Sequence, residues 1–588
     1  MFKLICKQLN KKQWLSMLII VGLVMLQVWL ELEIPDYMSE ITILIQTEGN
    51  MISEILLSGA KMLICAITSA ICAIIVGYIV ARVSAGVSKK IRSKLFSQVQ
   101  SFSSNEIKNF STSSLITRST NDITQIQMFI VMGLSALIKA PIMAVWAIIK
   151  ITGKSYQWSI ATAIAVVVLI VSVISIISIV LPKFRKMQTL TDNINRITRE
   201  NLTGLRVVRA YNAEEYQKNK FAVANDELTA TNLTAHRVMS LLSPLMNLVM
   251  SGLPLAIYWI GAFLINSAFT PDKLVIFSDM VVFSSYAIQI VMSFMLLVMV
   301  FIMLPRASVS AKRINEVLNT KSSIIDGNGV TIDDKDKGEI EFKNVSFKYQ
   351  DADEYVLKDI NFKCKKGDVV AFIGSTGSGK STLINLVPRF YDVTNGEVLV
   401  DGKNVKEFKL KDLRDRIGYV SQRAVLFSGT VLSNVTLGGD EEKPDEEDVH
   451  KAIEISQSSE FVSKMDKGIN SHISQGGKNV SGGQKQRLSI ARALAKNPEI
   501  IIFDDSFSAL DYKTDKILRS ALNNEFKNTT LLIVAQRIGT IKDADQIIVL
   551  DEGNIVGIGK HQDLLKNCPV YKEIALSQLS EEELKHAK

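Results

Sequence analysis

The sequence predicts an all-α transmembrane domain of six spans followed by a soluble α/β domain. Three observations support this: long apolar runs are confined to the residues before Pro305, strands and helices alternate from residue 339 onward, and a glycine-rich loop follows one of those strands. The mean hydropathy of +0.21 agrees with a chain that lies partly in lipid. We therefore divide the 588 residues into a transmembrane domain (1–305), a linker (306–338), an α/β domain (339–575) and a tail (576–588).

The first domain is defined by its spans and by the charge of the segments between them. A span needs about 20 mostly apolar residues, and six stretches qualify: 14–34, 55–80, 128–150, 157–181, 241–265 and 274–303. The connections 81–127 and 182–240 are long, basic and helically patterned, whereas the others are short and nearly free of Lys and Arg. The positive-inside rule therefore predicts that both termini and both long connections are cytoplasmic and that the spans extend into the cytosol as helices. The basic residues of this half lie in the connections that face the cytoplasm, where a protein in a lipid bilayer carries them. We therefore expect no nucleic acid partner despite the net charge of +8.

Among the charged residues within or beside the spans, Glu31, Glu33 and Lys139 call for explanation. Glu31 and Glu33 lie beyond Trp14 by about 26 Å along a helix, near the outer boundary of the lipid. Either both are interfacial, or one faces a cavity and contacts cationic substrates. Lys139 lies deeper, where a charge costs about 2.5 to 3.5 kcal/mol. It either snorkels to the interface or pairs with a carboxylate such as Glu31.

Methionines line one face of the last span. They recur with two polar residues at spacings of three and four: Ser285, Gln289, Met292, Met295, Met299 and Met303. Such a stripe serves either helix packing or a pliable wall for varied apolar substrates, because thioether side chains repack at little cost.

The glycine-rich loop matches the phosphate-binding pattern G-x-x-x-x-G-K-[ST]. It consists of Gly374, Ser375, Thr376, Gly377, Ser378, Gly379, Lys380 and Ser381, and Thr382 continues the helix that begins there. Glycines let backbone N–H groups close around phosphates, the lysine adds a positive charge, and Ser381 is placed to bind Mg²⁺. Tyr349, just upstream, is interpreted as a platform on which adenine stacks. The loop therefore predicts binding of ATP and Mg²⁺.

Further polar motifs follow in a fixed order. Gln422 follows a strand, and Asp504 ends a buried strand, the usual place for an acid that holds Mg²⁺. Ser481, Gly482, Gly483 and Gln484 open a helix whose N–H groups are available to an anion. Asp505 follows Asp504 directly, and Gln536 ends the run Val534-Ala-Gln536.

Taken together, these motifs resemble those of the ATP-binding cassette (ABC) transporters, specifically the exporter type that fuses six spans to one P-loop ATPase domain. The resemblance covers nearly the whole chain. It implies a dimer in which the P-loop of one domain and the Ser-Gly-Gly-Gln signature of the other enclose each ATP. It also implies that Gln422 senses Mg²⁺ and the attacking water, and that short helices near 111–118 and 211–217 couple the two domains.

The chain departs from the family pattern at two catalytic positions. The general base is normally Glu and here is Asp505, and the switch residue is normally His and here is Gln536. We therefore expect slow hydrolysis at the chain's own P-loop and an intact signature that serves a partner. This combination resembles one half of a heterodimeric multidrug exporter that moves small amphipathic compounds. Export of lipid or peptide, or a nucleotide-gated channel or sensor, are the alternatives.

Overall fold

The computed structural model describes residues 1–46, 52–152, 154–330, 337–350, 352–437 and 444–578. The chain forms two compact units, one of Met1–Gln100 with Thr112–Thr320 and one of Ser101–Ser111 with Lys321–Lys588. The boundary after Thr320 falls inside the linker expected at 306–338. Part of that linker, and most of the tail expected at 576–588, lie outside the described residues.

The N-terminal half is helical. Its α-helices are α1 (Phe2–Gln8), α2 (Lys11–Gln46), α3 (Ile52–Gln100), α4 (Ser104–Phe110), α5 (Thr112–Ser119), α6 (Asn121–Met128), α7 (Leu134–Ile151), α8 (Tyr156–Thr203), α9 (Leu205–Ala210), α10 (Glu214–Ser240), α11 (Leu242–Ser267) and α12 (Thr270–Asn319). A π-helical turn, Phe129–Gly133, joins α6 to α7.

The six expected spans are confirmed. In the part of the chain that the structure describes, six helical segments are long and apolar enough to cross a membrane: Lys11–Ile45, Ile52–Gln100, Thr112–Ile151, Tyr156–Thr203, Glu214–Ser267 and Asp272–Asn319. Most are far longer than the bilayer requires, as the patterning of the basic connections predicts. The last helix also continues through Pro305, which lies inside α12.

Of the two short helices expected to couple the domains, one forms where it was expected and the other does not. A helix does form near 111–118, as α5, but it belongs to the first unit, whereas α4 groups with the second. Near 211–217 there is no separate helix among the described residues, because Tyr211 and Asn212 form a turn and α10 begins at Glu214. Asn212 adopts a φ of +51°, which interrupts the helix at that point.

The second unit contains the strands. They are β1 (Ile340–Phe347), β2 (Leu357–Cys364), β3 (Val369–Gly374), β4 (Asn395–Val400), β5 (Lys403–Asn404), β6 (Ile417–Val420), β7 (Gly429–Thr430), β8 (His472–Ile473), β9 (Ile500–Asp504), β10 (Thr530–Val534), β11 (Gln546–Asp551) and β12 (Asn554–Gly559). Within the described residues, the main sheet has the order β12-β11-β3-β10-β9-β6, and a smaller antiparallel sheet has the order β2-β1-β4-β5. In the main sheet all neighbours are parallel except β11 and β12.

Helices cover this α/β domain. They are α13 (Lys380–Leu386), α14 (Leu410–Asp415), α15 (Val431–Val435), α16 (Glu446–Ile455), α17 (Ser459–Ser463), α18 (Gly482–Leu494), α19 (Tyr512–Glu525), α20 (Ile538–Ile541), α21 (His561–Asn567) and α22 (Pro569–Leu576). Both faces of the main sheet are buried. Along β3, Val370 and Phe372 pack in the core shared with the antiparallel sheet, while Ala371 and Ile373 pack in the opposite core.

Parallel strands bring the predicted site residues to one edge. Val534 of β10 pairs with Asp504 of β9 and with Phe372 of β3, and Val420 of β6 pairs with Phe503. The carboxyl ends of these strands therefore lie side by side. The P-loop, Gln422, Asp504, Asp505 and Gln536 all follow or end these strands, which is the edge where open α/β sheets bind ligands.

Candidate functional site

The loop at 374–382, hereafter the P-loop surface, has a backbone that glycine alone fits at two points. Gly379 has a φ of +95°, and a Cβ there would lie 2.8 Å from Leu357 Cδ2. A Cβ on Gly374 would collide with the carbonyl oxygen of Leu550. The loop backbone therefore packs closely against Leu357 and Leu550, and glycines in such a loop are what let backbone N–H groups close around a phosphate.

Lys380 reaches back over this loop. Its Nζ donates to the carbonyl oxygens of Gly374 (3.0 Å) and Ser375 (2.7 Å) and to Ser378 Oγ (3.2 Å). Burial lowers the pKa of Lys380, while the charges of Asp505 and Asp504 oppose that effect. The ammonium group is thus held by oxygens that a phosphate group can replace.

Ser381 and Asp504 form the candidate Mg²⁺ site. Ser381 Oγ donates to Asp504 Oδ1 at 2.6 Å, and the Asp504 residue is only 6% exposed. Burial raises the pKa of Asp504, with the hydrogen bond from Ser381 opposing it and the charge of Asp505 adding to it. A hydroxyl and a carboxylate are the hard oxygen ligands that Mg²⁺ prefers, so the donor set fits this ion. Bound there with ATP, Mg²⁺ would supply charge neutralisation at the phosphates.

Asp505 is held by two amides. Its Oδ2 accepts from Gln536 Nε2 at 2.8 Å and from Gln422 Nε2 at 3.4 Å. The residue is 7% exposed and has a φ of +47°, and its N–H donates to the Val534 carbonyl oxygen. Burial raises the pKa of Asp505, while the hydrogen bonds from Gln422 and Gln536 oppose it. Two of the predicted catalytic side chains, Gln422 and Gln536, therefore both contact the third, Asp505.

Tyr349 is attached to the same surface. Its hydroxyl lies 2.9 Å from Thr382 Oγ1, and its ring meets those of Phe347 and Tyr391 edge-on at 5.0 and 5.4 Å. These contacts fix the ring of a half-buried tyrosine beside the helix that follows the P-loop, a suitable position for a stacking platform.

The signature residues, Ser481 to Gln484, form a second surface. Ser481 caps α18: its Oγ accepts from Gln484 N, and its own N–H donates to Gln484 Oε1 at 2.8 Å. Gly482 is exposed, and a Cβ on it would meet no atom within 4 Å. This signature surface is a helix N-terminus open to solvent, where N–H groups and the helix dipole favour an anion.

Two residues near the site escaped the sequence analysis. Gln486 is 2% exposed and donates to the Ser421 carbonyl oxygen at 3.3 Å, so it links the signature helix to the segment that carries Gln422. Gln486, Ile490 and Ala493 are four and three residues apart, so they share one face of the helix, and this spacing could have predicted that Gln486 is buried. Tyr419 donates to Asn385 Oδ1 at 2.9 Å, and burial beside Asp504 raises its pKa.

In the membrane domain, the structure shows the second of the two alternatives for Lys139, pairing with a carboxylate. Lys139 Nζ lies 2.8 Å from Glu31 Oε1, which also accepts from Gln27 (2.9 Å) and Ser69 (3.3 Å). A second cluster lies further along α2, where Lys150 pairs with Glu33 (3.0 Å) and Asp36 (2.6 Å). The carboxylates that the sequence left open are thus paired with lysines, and the side chains of Glu31 and Lys139 remain about a quarter exposed.

The methionine stripe divides into two groups. Met292 and Met299 are 45% and 46% exposed, whereas Met295 and Met303 pack partly against the cores. Met295 and Met303 therefore contribute to helix packing, while the wall for apolar substrates stays a prediction for the exposed Met292 and Met299.

Comparison with known proteins decides the family. A family model described as ABC transporter transmembrane region matches residues 17–294, and one described as ABC transporter matches residues 357–508. An uncharacterized ABC transporter ATP-binding protein of Mycobacterium bovis is 39% identical over 530 residues, which is 88% of each chain. The chain belongs to the ABC transporter family.

Two further matches describe its type. The transporter is 29% identical over 506 residues to an ATP-dependent lipid A-core flippase of Vibrio vulnificus, covering 86% of the transporter and 85% of the flippase. A bacterial Atm1-family ABC exporter solved with ATP bound has the same fold, with a TM-score of 0.77 at 23% identity over 97% of this chain and 100% of that one. The transporter therefore has the fold of an ABC exporter, with one transmembrane domain and one ATPase domain in the chain. It is a multi-pass plasma membrane protein with a cytosolic ATPase domain that binds ATP, normally with Mg²⁺.

Proposed function

We propose that the transporter is one half of a heterodimeric exporter of drugs or other amphipathic compounds. Its own P-loop site, with Asp505 as base, hydrolyses ATP slowly, and its signature surface serves the ATP site of the second half-transporter. The observation that carries this proposal is the contact of Asp505 with two neutral amides, Gln422 and Gln536.

Slow hydrolysis follows from the position of the carboxylate. Asp505 stands where a glutamate is expected, and one fewer methylene withdraws the carboxylate by about 1.5 Å. A general base must lie within about 2.6 to 3.2 Å of its proton or act through one water. Here Oδ2 already accepts from both amides, which compete with a water for the same oxygen.

Gln536 adds a second defect. A histidine at this position can carry a positive charge and respond to the phosphate, whereas an amide stays neutral at every physiological pH. Its Nε2 is also engaged with Asp505 at 2.8 Å. The site retains what ATP binding needs, namely the P-loop, Lys380, Ser381 and Asp504, while it lacks two features that speed hydrolysis.

The signature surface has no such defect. Ser481 is positioned by its capping contacts, and Gly482 leaves room for a phosphate. A chain with an impaired P-loop site and a sound signature is useful in a dimer whose other half supplies the competent catalytic base. That asymmetry supports a heterodimer over a homodimer.

The substrate class rests on the membrane domain. Met292 and Met299 offer exposed thioethers, and the Glu31 cluster offers polar groups that remain partly accessible. Because apolar and polar contacts are available in the same membrane domain, they suit amphipathic compounds, which have an apolar part and a polar part. Export of lipid is the second candidate, because the flippase relative is named for an amphipathic lipid.

The test uses the transporter with its partner half and alone. Asp505→Ala and the isosteric Asp505→Asn should both leave most ATPase activity of the complex, whereas the equivalent change at the partner's base should remove it. The transporter alone should bind ATP and hydrolyse it poorly. A fast homodimeric ATPase, or equal loss from the two bases, would contradict the proposal. Dye transport into vesicles, compared with lipid flipping and ion conductance, separates the substrate alternatives.

A further inference from the structure

The short helix α4 is firmly attached to the ATPase domain. Glu106, 6% exposed, accepts from Ser103 N at 2.8 Å and from Ser323 N at 3.1 Å. Burial opposes the charge of Glu106, yet the hydrogen bonds from Ser103 and Ser323 lower its pKa, so it remains a carboxylate that binds both. Phe102, which precedes the helix, and Phe110, its last residue, stack with ring centroids 5.8 Å apart. These contacts hold α4 in place within the ATPase unit.

One of these side chains lies on Tyr349. Lys108 Nζ is 4.4 Å from the centroid of the Tyr349 ring and 5.7 Å from that of Tyr391. A cavity of about 250 Å³ opens beside this contact, lined by Asn105, Lys108, Asn109, Tyr349, Gln350 and Ala352. The cavity combines an aromatic face with amide groups, which suits a flat heterocycle that carries hydrogen-bonding edges.

We propose that Lys108 occupies the face of Tyr349 on which adenine stacks, so that nucleotide binding displaces the Lys108 side chain from the ring. A cation and a purine cannot cover the same face at van der Waals distance, and the ammonium stays hydrated on leaving because Lys108 is exposed. This inference rests on the proposed role of Tyr349 as the adenine platform.

The displacement has a consequence for the rest of the chain. α4 follows α3 after only Ser101 to Ser103, and α3 is one of the helices that crosses the membrane. Occupancy of the base site therefore changes a contact made by a segment that is covalently continuous with a membrane helix. Asn105 and Asn109, whose amides line the cavity, are then the residues of α4 that meet the edge of the base.

The experiment measures binding of ATP and of inorganic tripolyphosphate to the full-length transporter in detergent. Lys108→Met keeps the apolar stem and removes the charge, and Lys108→Arg keeps the charge as the matched control. If Lys108 competes with adenine, Lys108→Met should tighten ATP binding by about two- to fivefold. Tripolyphosphate, which has no base, should bind the variant and the parent equally, and Lys108→Arg should not tighten ATP binding.

A Tyr349→Ala background completes the design. There, Lys108→Met should have no effect on ATP binding, because the shared face is gone. Equal weakening of ATP and tripolyphosphate by Lys108→Met would overturn the inference and indicate attraction of phosphate by the ammonium. If Lys108→Met left ATP affinity unchanged while Tyr349→Ala weakened ATP binding, the inference about Lys108 would be overturned and the role of Tyr349 as adenine platform would stand. Unchanged affinity in Tyr349→Ala would refute the platform itself.

Discussion

The P-loop surface and the signature surface of the ATPase domain differ in how far the chain completes them by itself. Around the P-loop, Lys380 is held by three oxygens and Ser381 is bonded to Asp504. At the signature, Gly482 faces open space. The membrane domain repeats the contrast, since Glu31 is satisfied by three donors while Met292 is exposed. Substitutions at a completed surface should alter this chain, whereas those at an open surface should alter what binds to it.

The largest effect is expected at the open signature. Gly482→Asp adds bulk and negative charge against the partner's phosphate and should lower ATPase activity of the complex by about a hundredfold or more. Because no atom lies within 4 Å of the added Cβ, thermal unfolding of the transporter alone should not change. Gly482→Ala is the matched control and should retain more activity. A destabilised Gly482→Asp chain would show that this surface is not open.

The second largest effect is expected at the P-loop surface, where the chain's own catalytic residues are changed. Asp505→Glu with Gln536→His restores a longer base and an ionisable partner at the P-loop surface. Turnover at this site should rise by about tenfold to a hundredfold, measured in a complex whose partner base has been removed. Each single variant should give less than the pair, since the two side chains are in contact. No gain from the double variant would mean that other residues limit this site.

A smaller effect is expected at the completed membrane cluster. Lys139→Met leaves the Glu31 carboxylate without its cation and should lower stability by about 1 to 3 kcal/mol, less than for a fully buried pair. Lys186→Met is the matched control: its pair with Glu227 is more than half exposed on both sides, so the loss should be about 0 to 1 kcal/mol. Glu31→Gln added to Lys139→Met should recover most of the stability. If Lys139→Met instead changed transport at constant stability, the pair would belong to the substrate path.

The smallest effect concerns the methionines. Met292→Ala and Met299→Ala change an exposed face and should shift the preference among substrates by a few fold while unfolding stays constant. Met295→Ala removes a partly packed side chain and should lower stability by about 1 kcal/mol with little change in preference. Transport assays with several dyes, together with thermal unfolding, separate the two. The same outcome for all three variants would remove the distinction between exposed and packed methionines.

Local chemistry explains what the sequence could predict. Six spans and the strand-loop-helix at the P-loop follow from residues that are close in sequence, whereas the catalytic roles of Gln422, Asp505 and Gln536 came from the resemblance to a family. The pairing of Lys139 with Glu31 was one of two alternatives, because a deep charge has few ways to be satisfied. Which short helix joins the ATPase domain could not be predicted. It depends on Glu106 meeting Ser323 across more than two hundred residues, a contact with no periodic signal.

The attachment of α4 also bears on how the molecule is made. The ATPase unit consists of two separate stretches, Ser101–Ser111 and the residues from Lys321 onward. At ribosomal rates, the intervening Thr112–Thr320 takes about 10 to 40 s to synthesise. Throughout that interval Glu106 has no Ser323 to bind, although its own helix is already complete. The ATPase unit can therefore fold completely only when the residues from Lys321 onward, which are synthesised late, bind the stretch Ser101–Ser111, which is synthesised early. A fragment that begins at Lys321 lacks this stretch of the unit.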